Sequence, residues 1–256
     1  MIRIAALFIC ILVSCFASAQ QTGRMETDRP DQTECPFIVK KGYIQGEVGF
    51  NYESFDGLHN LVHPTILWKY GASKRFEFRL ITEINSMETP PIIPRGNKYE
   101  TGFVPVQIGG KIALWEEKGL LPMTSLIFHV GMPKWAGKSF RLNQWAPNFR
   151  FTMQHGLTDN IGLGYNLGAE WDGFSSTPTW IYTIAPGFNL GKNGYAYIEA
   201  YGGFRKGEAP QHGIDGGLAY YVSDHVKLDI SGGFNIINCP NYVAVGCSFR
   251  FRTGKK

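Results

Sequence analysis

The sequence predicts an all-β protein, a transmembrane antiparallel up-and-down β-barrel of about twelve strands. Three observations predict it. From Tyr43 onward, strand-length segments recur roughly every ten to twenty residues, each with apolar side chains on one face and polar or charged ones on the other. An export signal precedes them, and the connections between them alternate between short and long. The stretch from Arg75 to Ile84 shows the pattern most clearly: Phe76, Phe78, Leu80 and Ile84 share one face, while Arg75, Glu77, Arg79 and Glu83 share the other. A helical period would scatter both sets around the circumference. A soluble antiparallel barrel is the competing fold, but it would bury its apolar side and needs neither the leader, the aromatic strand ends nor the loop asymmetry.

The first element is the leader, residues 1–19. It has one early positive charge at Arg3, an apolar stretch from Ile4 to Phe16 and a small-x-small end at Ala17-Ser18-Ala19, which together make a secretory signal peptide cleaved near Ala19 or Gln20. Leu12-Val13-Ser14-Cys15 has the alternative shape of a lipoprotein cleavage box that would leave Cys15 lipidated, although the leader before it would be short for export. The apolar run is too short to cross a bilayer as a helix, and no later segment approaches the roughly eighteen apolar residues needed. Residues 20–42 then form an N-terminal extension or plug, 43–252 the barrel and 253–256 a short tail.

The strands follow in order. The first, near 43–53, sets Val48, Phe50 and Tyr52 against Glu47 and Glu53; the second, 61–70, sets Ile66, Trp68 and Tyr70 against Lys69; the third spans 75–85. The fourth, 103–115, places Val104, Val106, Ile108, Ile112 and Leu114 opposite Lys111, and the fifth, 122–132, carries Leu126, Phe128 and Val130 on one face. The sixth, 146–156, has Phe149, Phe151, Met153 and His155 opposite Arg150; the seventh, 161–171, has Ile161, Leu163, Tyr165 and Leu167 opposite Glu170. The last five, 179–190, 195–204, 213–222, 226–235 and 242–252, bring Glu199, Asp215, Lys227, Asp229, Arg250 and Arg252 onto their polar faces. The apolar faces are expected to meet lipid, where an Arg at the midplane costs about 2–4 kcal/mol, and the polar faces to line the lumen.

Short polar turns occur at Gly71-Ala72-Ser73-Lys74, Glu116-Glu117-Lys118-Gly119, Thr158-Asp159-Asn160, Gly191-Lys192-Asn193-Gly194 and Ser223-Asp224-His225. Longer connections are expected at Ser54–Asn60, Ser86–Tyr99, Lys134–Asn143, Asp172–Thr177, Arg205–Gln211 and Ile237–Asn241. Strict alternation from a long first loop requires an even strand number, puts both chain ends in the periplasm and places Asp172 at the loop end. The lumen charges have both signs in similar numbers, so no single-sign ring selects cations or anions. Two readings stay open: the charges pair across a narrow lumen, or they line a polar path for solute.

Composition excludes several classes. The formal charge of +4 falls to about +3 once Arg3 leaves with the leader, far from the excess of a nucleic-acid binder. The basic tail from Arg250 to Lys256 lacks an aromatic platform and reads as a solvated chain end. Cys35, Cys239 and Cys247 remain after processing, an odd number without paired spacing, so neither a disulfide framework nor a zinc site is indicated and no cofactor is expected. Expected partners are outer-membrane lipid, the machinery that inserts barrels and, less certainly defined by sequence, a small solute.

Between leader and first strand runs Glu26-Thr27-Asp28-Arg29-Pro30-Asp31-Gln32-Thr33-Glu34-Cys35-Pro36-Phe37. With this string, the Leu157-Thr158-Asp159-Asn160-Ile161-Gly162-Leu163-Gly164-Tyr165 turn and the closing Phe249-Arg250-Phe251, the mature chain resembles a bacterial family of outer-membrane proteins catalogued as transporters and linked by label to the meta-pathway of phenol degradation. Cys35 stands where a small polar residue is expected. The resemblance implies an outer-membrane barrel with a role in solute passage, the solute small and on the label's terms hydrophobic or aromatic. Physically, Asp28-Arg29-Pro30-Asp31 cannot be a strand interior. It is expected to tuck into the barrel mouth as a small plug, with Asp28, Arg29 and Asp31 pairing with lumen charges; a loose spacer is the alternative.

Two further functions are weighed against a channel: a non-transporting structural barrel and a lipid-acting enzyme. Ser125 and His129 share a face but have no orienting carboxylate, His155 lies beside a short turn at the wrong leaflet for lipopolysaccharide, and His59 with His63 reads as a polar rim. No phosphate-binding loop, dinucleotide fingerprint or zinc helix is present. The chain is therefore not expected to be an enzyme.

Overall fold

The computed structural model describes residues 23–90 and 98–254. The expected signal peptide and the Cys15 alternative lie outside the described residues, as do 91–97 and the last two residues of the tail. Thirteen strands form one antiparallel sheet: β1 (Tyr43–Phe55), β2 (Leu58–Gly71), β3 (Phe76–Thr89), β4 (Lys98–Phe103), β5 (Gln107–Trp115), β6 (Met123–Gly131), β7 (Ala146–Gly156), β8 (Ile161–Glu170), β9 (Thr179–Leu190), β10 (Gly194–Arg205), β11 (Gln211–Ser223), β12 (Val226–Ile237) and β13 (Asn241–Arg252). Neighbours in sequence pair except for β4 and β5, which both pair with β3, and β1 pairs with β13 from Tyr43 opposite Arg252 to Ser54 opposite Asn241. Twelve strands thus close into a barrel, with β4 as an addition on the upper half of β3.

Burial is inverted relative to a soluble protein. The largest fully buried side chains include Arg79, Lys69, Lys111, Glu47 and Glu77, while Ile198, Leu218, Leu167 and Val243 are all more than half exposed. Charged residues are almost never buried in soluble proteins unless paired, so this pattern requires an apolar medium outside and polar partners inside. The outward apolar residues include the expected Phe50, Tyr52, Tyr70, Ile108, Ile112, Phe128 and Leu167.

Four expectations are corrected. The fourth strand is interrupted at Val104-Pro105-Val106: the Val104 amide still bonds the Glu83 carbonyl of β3, but Pro105 has no N–H to donate, so β4 pairs with β3 above the break and β5 below it. Val104 and Val106 therefore lie outside any strand; Val106 instead bonds to the carbonyl of Trp135. The supposed long connection at Ser54–Asn60 is a tight hairpin whose Asp56 and Gly57 take positive φ values of 49° and 75°, as a two-residue primed turn demands. Ile237–Asn241 is similarly short, turning at Asn238 with φ 50°.

Arg75 is the fourth. The amides of Ala72 and Ser73 both bond to the Phe76 carbonyl, which closes the turn before β3 begins, and Arg75 is left exposed at that turn and away from the lumen. Its charge stays in water, where it carries no desolvation cost. The turns at 71–74, 116–119, 158–160, 191–194 and 223–225 and both described chain ends lie at one end of the barrel, here the terminal end; the longer connections lie at the other, the loop end, together with the tight turns at Asp56-Gly57 and 238–240.

Candidate lumen and its N-terminal segment

A polar lumen facing a short chain segment must satisfy every buried donor and acceptor somehow. Residues 23–40 have no strand or helix, and they enter the barrel at the terminal end and return to it, with backbone groups bonded to lumen side chains. The Glu47 carboxylate accepts the Asp28 and Arg29 amides at 3.0 Å each, Glu199 accepts the Gln32 amide at 2.7 Å and Glu77 the Val39 amide at 2.7 Å. Asn166 works in both directions, accepting from the Glu34 amide at 2.8 Å and donating to the Glu34 carbonyl at 2.9 Å. Ser125 donates to the Pro36 carbonyl at 2.6 Å, and Lys111 Nζ donates to the Cys35 carbonyl at 2.8 Å. Pro30 and Pro36 remove two amides that would otherwise need partners.

Asp28 is the hub of this segment. Its carboxylate meets Lys69 at 2.8 Å, Arg79 at 3.0 Å and Lys111 at 3.1 Å, three cations projecting inward from β2, β3 and β5. Cys35 closes a local turn on the same carboxylate, donating from its amide at 3.1 Å and its thiol at 3.2 Å, so the departure from a small polar residue retains a donor. Burial opposes charge on Asp28, but Lys111, Lys69 and Arg79 together hold its carboxyl well below the usual carboxylate range. The pairing is enforced by cost: breaking one member out of a buried ion cluster forfeits about 3–5 kcal/mol.

Arg29 points the other way. It reaches Asp229 on β12 at 2.7 Å, and its guanidinium lies over Gly49 of β1 and Gly246 of β13. Those glycines are opposite one another in the register, and a methyl on either would overlap the guanidinium, so the slot requires both. Asp31 lies near the Tyr195 hydroxyl at 3.4 Å, and burial pushes its carboxyl up to about 7 with Lys227 opposing the rise. Glu34 meets Arg79 at 2.8 Å and, less closely, Arg150. Burial works to raise the Glu34 carboxyl as well, yet Arg79, Arg150 and His129 together outweigh it and the net direction is down.

The structure gathers most of the expected lumen residues around this segment. Glu47, Lys69, Glu77, Arg79, Lys111, Glu199, Lys227 and Asp229 are buried in contact with it or with its partners, and Lys227 donates to the Thr27 hydroxyl and the Arg29 carbonyl. Arg150 donates to the Gln32 carbonyl at 2.9 Å and pairs with Glu170 at 2.8 Å; Arg250 reaches the Gly23 carbonyl at the terminal end. Asp215 accepts from Tyr242 at 2.5 Å. Asp172 pairs with Arg205 in the loop-end connections, and Arg252 is exposed at the strand end.

The two histidine pairs are committed elsewhere. His129 receives the Arg79 Nε–H at 3.1 Å and contacts Asn148, while His59 bonds Tyr52 and His63 bonds Ser86.

Two cavities flank the segment. One of about 740 Å³ opens at the terminal end beside Thr158, Asp159 and Asn189; one of about 360 Å³ lies toward the loop end beside Glu53, Glu83 and Ser231. Arg29 and Asp31 line both. Sequence reasoning missed Asn51, Asn85 and Ser231 in the second cavity, though strand parity alone places them inward. It could not find Asn60 and Val62, because β2 bulges at His63-Pro64 and its inward set changes from odd positions below to even positions above.

A profile of the family described as "Putative MetA-pathway of phenol degradation" matches residues 27–252. The chain belongs to this family. The family match begins at Thr27, so in this phenol-degradation family the docked segment from Asp28 onward falls within the matched region together with the strands. No curated protein matches the sequence. Among solved structures, a COG4313 outer membrane channel from Pseudomonas putida F1 superposes with a TM-score of 0.63 at 9% identity, covering 87% of this chain and 100% of its own. The NanC porin gives 0.54 at 10% identity, with 80% and 98% covered, and the KdgM porin 0.52 at 12%, with 80% and 99% covered. At these identities the likeness is one of fold, and the fold is that of outer membrane channels.

Proposed function

We propose that this protein is an outer-membrane channel for small solutes whose path is held closed by its own N-terminal segment, with both chain ends on the periplasmic side. The observation that carries the reading is the pair of cavities meeting at Arg29 and Asp31, since a polar space on each side of one docked segment is what a stoppered path looks like. Membership of the family and the likeness to outer membrane channels support it. Apart from the Met25 amide on the Asp224 turn carbonyl, the segment is held by side chains, so it can leave without unzipping a strand. The alternative of a lipid-acting enzyme has less support: Ser125 and His129 are turned inward and already bonded to Pro36 and Arg79. A structural barrel would not need the two cavities.

Planar-bilayer recordings of refolded mature protein and of a variant lacking 22–40, with vesicle swelling across sugars, amino acids and aromatic acids, test this. The truncated barrel is expected to conduct and to admit solute at least several-fold better than the intact chain. If neither form conducts or admits any solute, the channel reading fails; equal conductance in both forms removes the stopper.

A further inference from the structure

The loop-end cavity has a chemical signature of its own. Among the described residues, Asn51 Oδ1, Asn60 Oδ1, Asn85 Oδ1 and Ser231 Oγ are each buried without a hydrogen-bond partner, and all four residues line this one cavity. Buried polar groups are almost always satisfied, so four orphans converging on one space mark it as built to be filled by something polar. Asn85 and Ser231 are themselves only 7% and 4% exposed.

The orphans are acceptors by arrangement. Asn51 and Asn60 each spend an Nδ2–H on the Glu53 carboxylate, at 2.6 and 2.9 Å, which fixes the amide orientation and leaves the carbonyl oxygens free. Glu53 and Glu83 add two carboxylates to the wall, neither in an ion pair with a Lys or Arg among the described residues, and Asp31 adds a carboxyl that docking favours in its protonated form. The one cation present, Arg29, is already matched by Asp229 at 2.7 Å.

We propose that this cavity binds a small organic solute carrying a primary ammonium group. An ammonium offers three donors and a positive charge to a wall that offers acceptors and negative charge. At about 360 Å³ the space suits a small organic molecule, in the range of ligand pockets, and far exceeds a bare metal ion. A phenol, with one donor and an apolar ring, would leave most of the acceptors unfilled. The inference deepens the channel reading by naming its solute class and rests on that reading only for how the solute arrives.

Titration calorimetry on refolded mature protein in detergent, with ethanolammonium chloride against sodium chloride, sodium acetate and phenol at matched ionic strength, tests it without requiring conductance. Ethanolammonium is expected to bind saturably, one per chain, with Glu83→Gln weakening it at least tenfold and Ser231→Ala, on the opposite part of the wall, weakening it several-fold. Heat-modifiable migration identifies folded variants, and either variant alone suffices for the comparison. Absence of saturable binding, sodium competing on equal terms, tighter binding of phenol or acetate, or unchanged affinity in a folded variant each overturns the proposal. A conducting barrel that fails here keeps the channel reading and loses only the ammonium site.

Discussion

Gly49 and Gly246 face each other across the β1–β13 pair, and the Arg29 guanidinium occupies the space their missing side chains leave. Asp229 is the register partner of Gly246 on the far side, so one row across three strands supplies a floor, a second floor and a counter-charge. Gly246→Val should expel Arg29 while leaving the strand intact, because Val is a favourable strand residue. Single-channel recording should show openings at least several-fold more frequent than in the unmodified chain; an unchanged trace would mean that Arg29 does not hold the segment.

Asp28→Asn removes one negative charge from among Lys69, Arg79 and Lys111. Three buried cations then share Glu47, Glu77 and Glu34, and the docked state should lose on the order of 3–5 kcal/mol. Hydrogen exchange at the amides of 28–39 reads this directly, and protection that survives the substitution would refute it.

Release of the segment should depend on pH through Asp31. Its docked carboxyl sits at about 7, above the ordinary 3.8, so docking favours the protonated form. That contribution is complete below 3.8 and is lost as pH rises through 7. Asp28 lies on the opposite side, its carboxyl held down, and it weakens docking only in strong acid. Between pH 5 and 8, roughly the span in which such a shifted acid titrates, protection of the segment amides, with the base-catalysed intrinsic exchange rate divided out, should therefore fall with rising pH, and Asp31→Asn should flatten the profile. Protection that rises with pH, or a profile unaltered in Asp31→Asn, contradicts the assignment.

The outward face makes a separate prediction. Ile198, 61% exposed on β10, should tolerate Leu but not Arg, which costs about 2–4 kcal/mol near the bilayer midplane. Urea-dependent refolding into vesicles measures the difference, and equal midpoints for the two variants would put that face in water.

The barrel was legible because a strand between lipid and lumen leaves a period-two trace that no packing detail can erase. Phe76, Glu77, Phe78 and Arg79 carry it without ambiguity. What escaped was set by local backbone geometry or by contacts distant in sequence. The Pro105 break, the tight turn at Asp56-Gly57 and the parity change at His63-Pro64 each alter which residues face inward without altering composition. Arg75 kept the parity of Arg79 but fell on the turn side of Phe76. In the segment, charge and proline excluded a strand at 28–31, but its partners had to come from the fold: Arg29 meets Asp229 across 200 residues.

The seam between β1 and β13 joins the first and last strands of the chain, and it is this seam that cradles Arg29. The cradle does not exist until the final strand has arrived, since Gly246 and Asp229 both belong to the last hairpin. A nascent barrel therefore has no seat for the Arg29 guanidinium until its last hairpin is in place. The opening residues of the polypeptide wait on its closing ones, and their seating marks the moment at which the wall is complete.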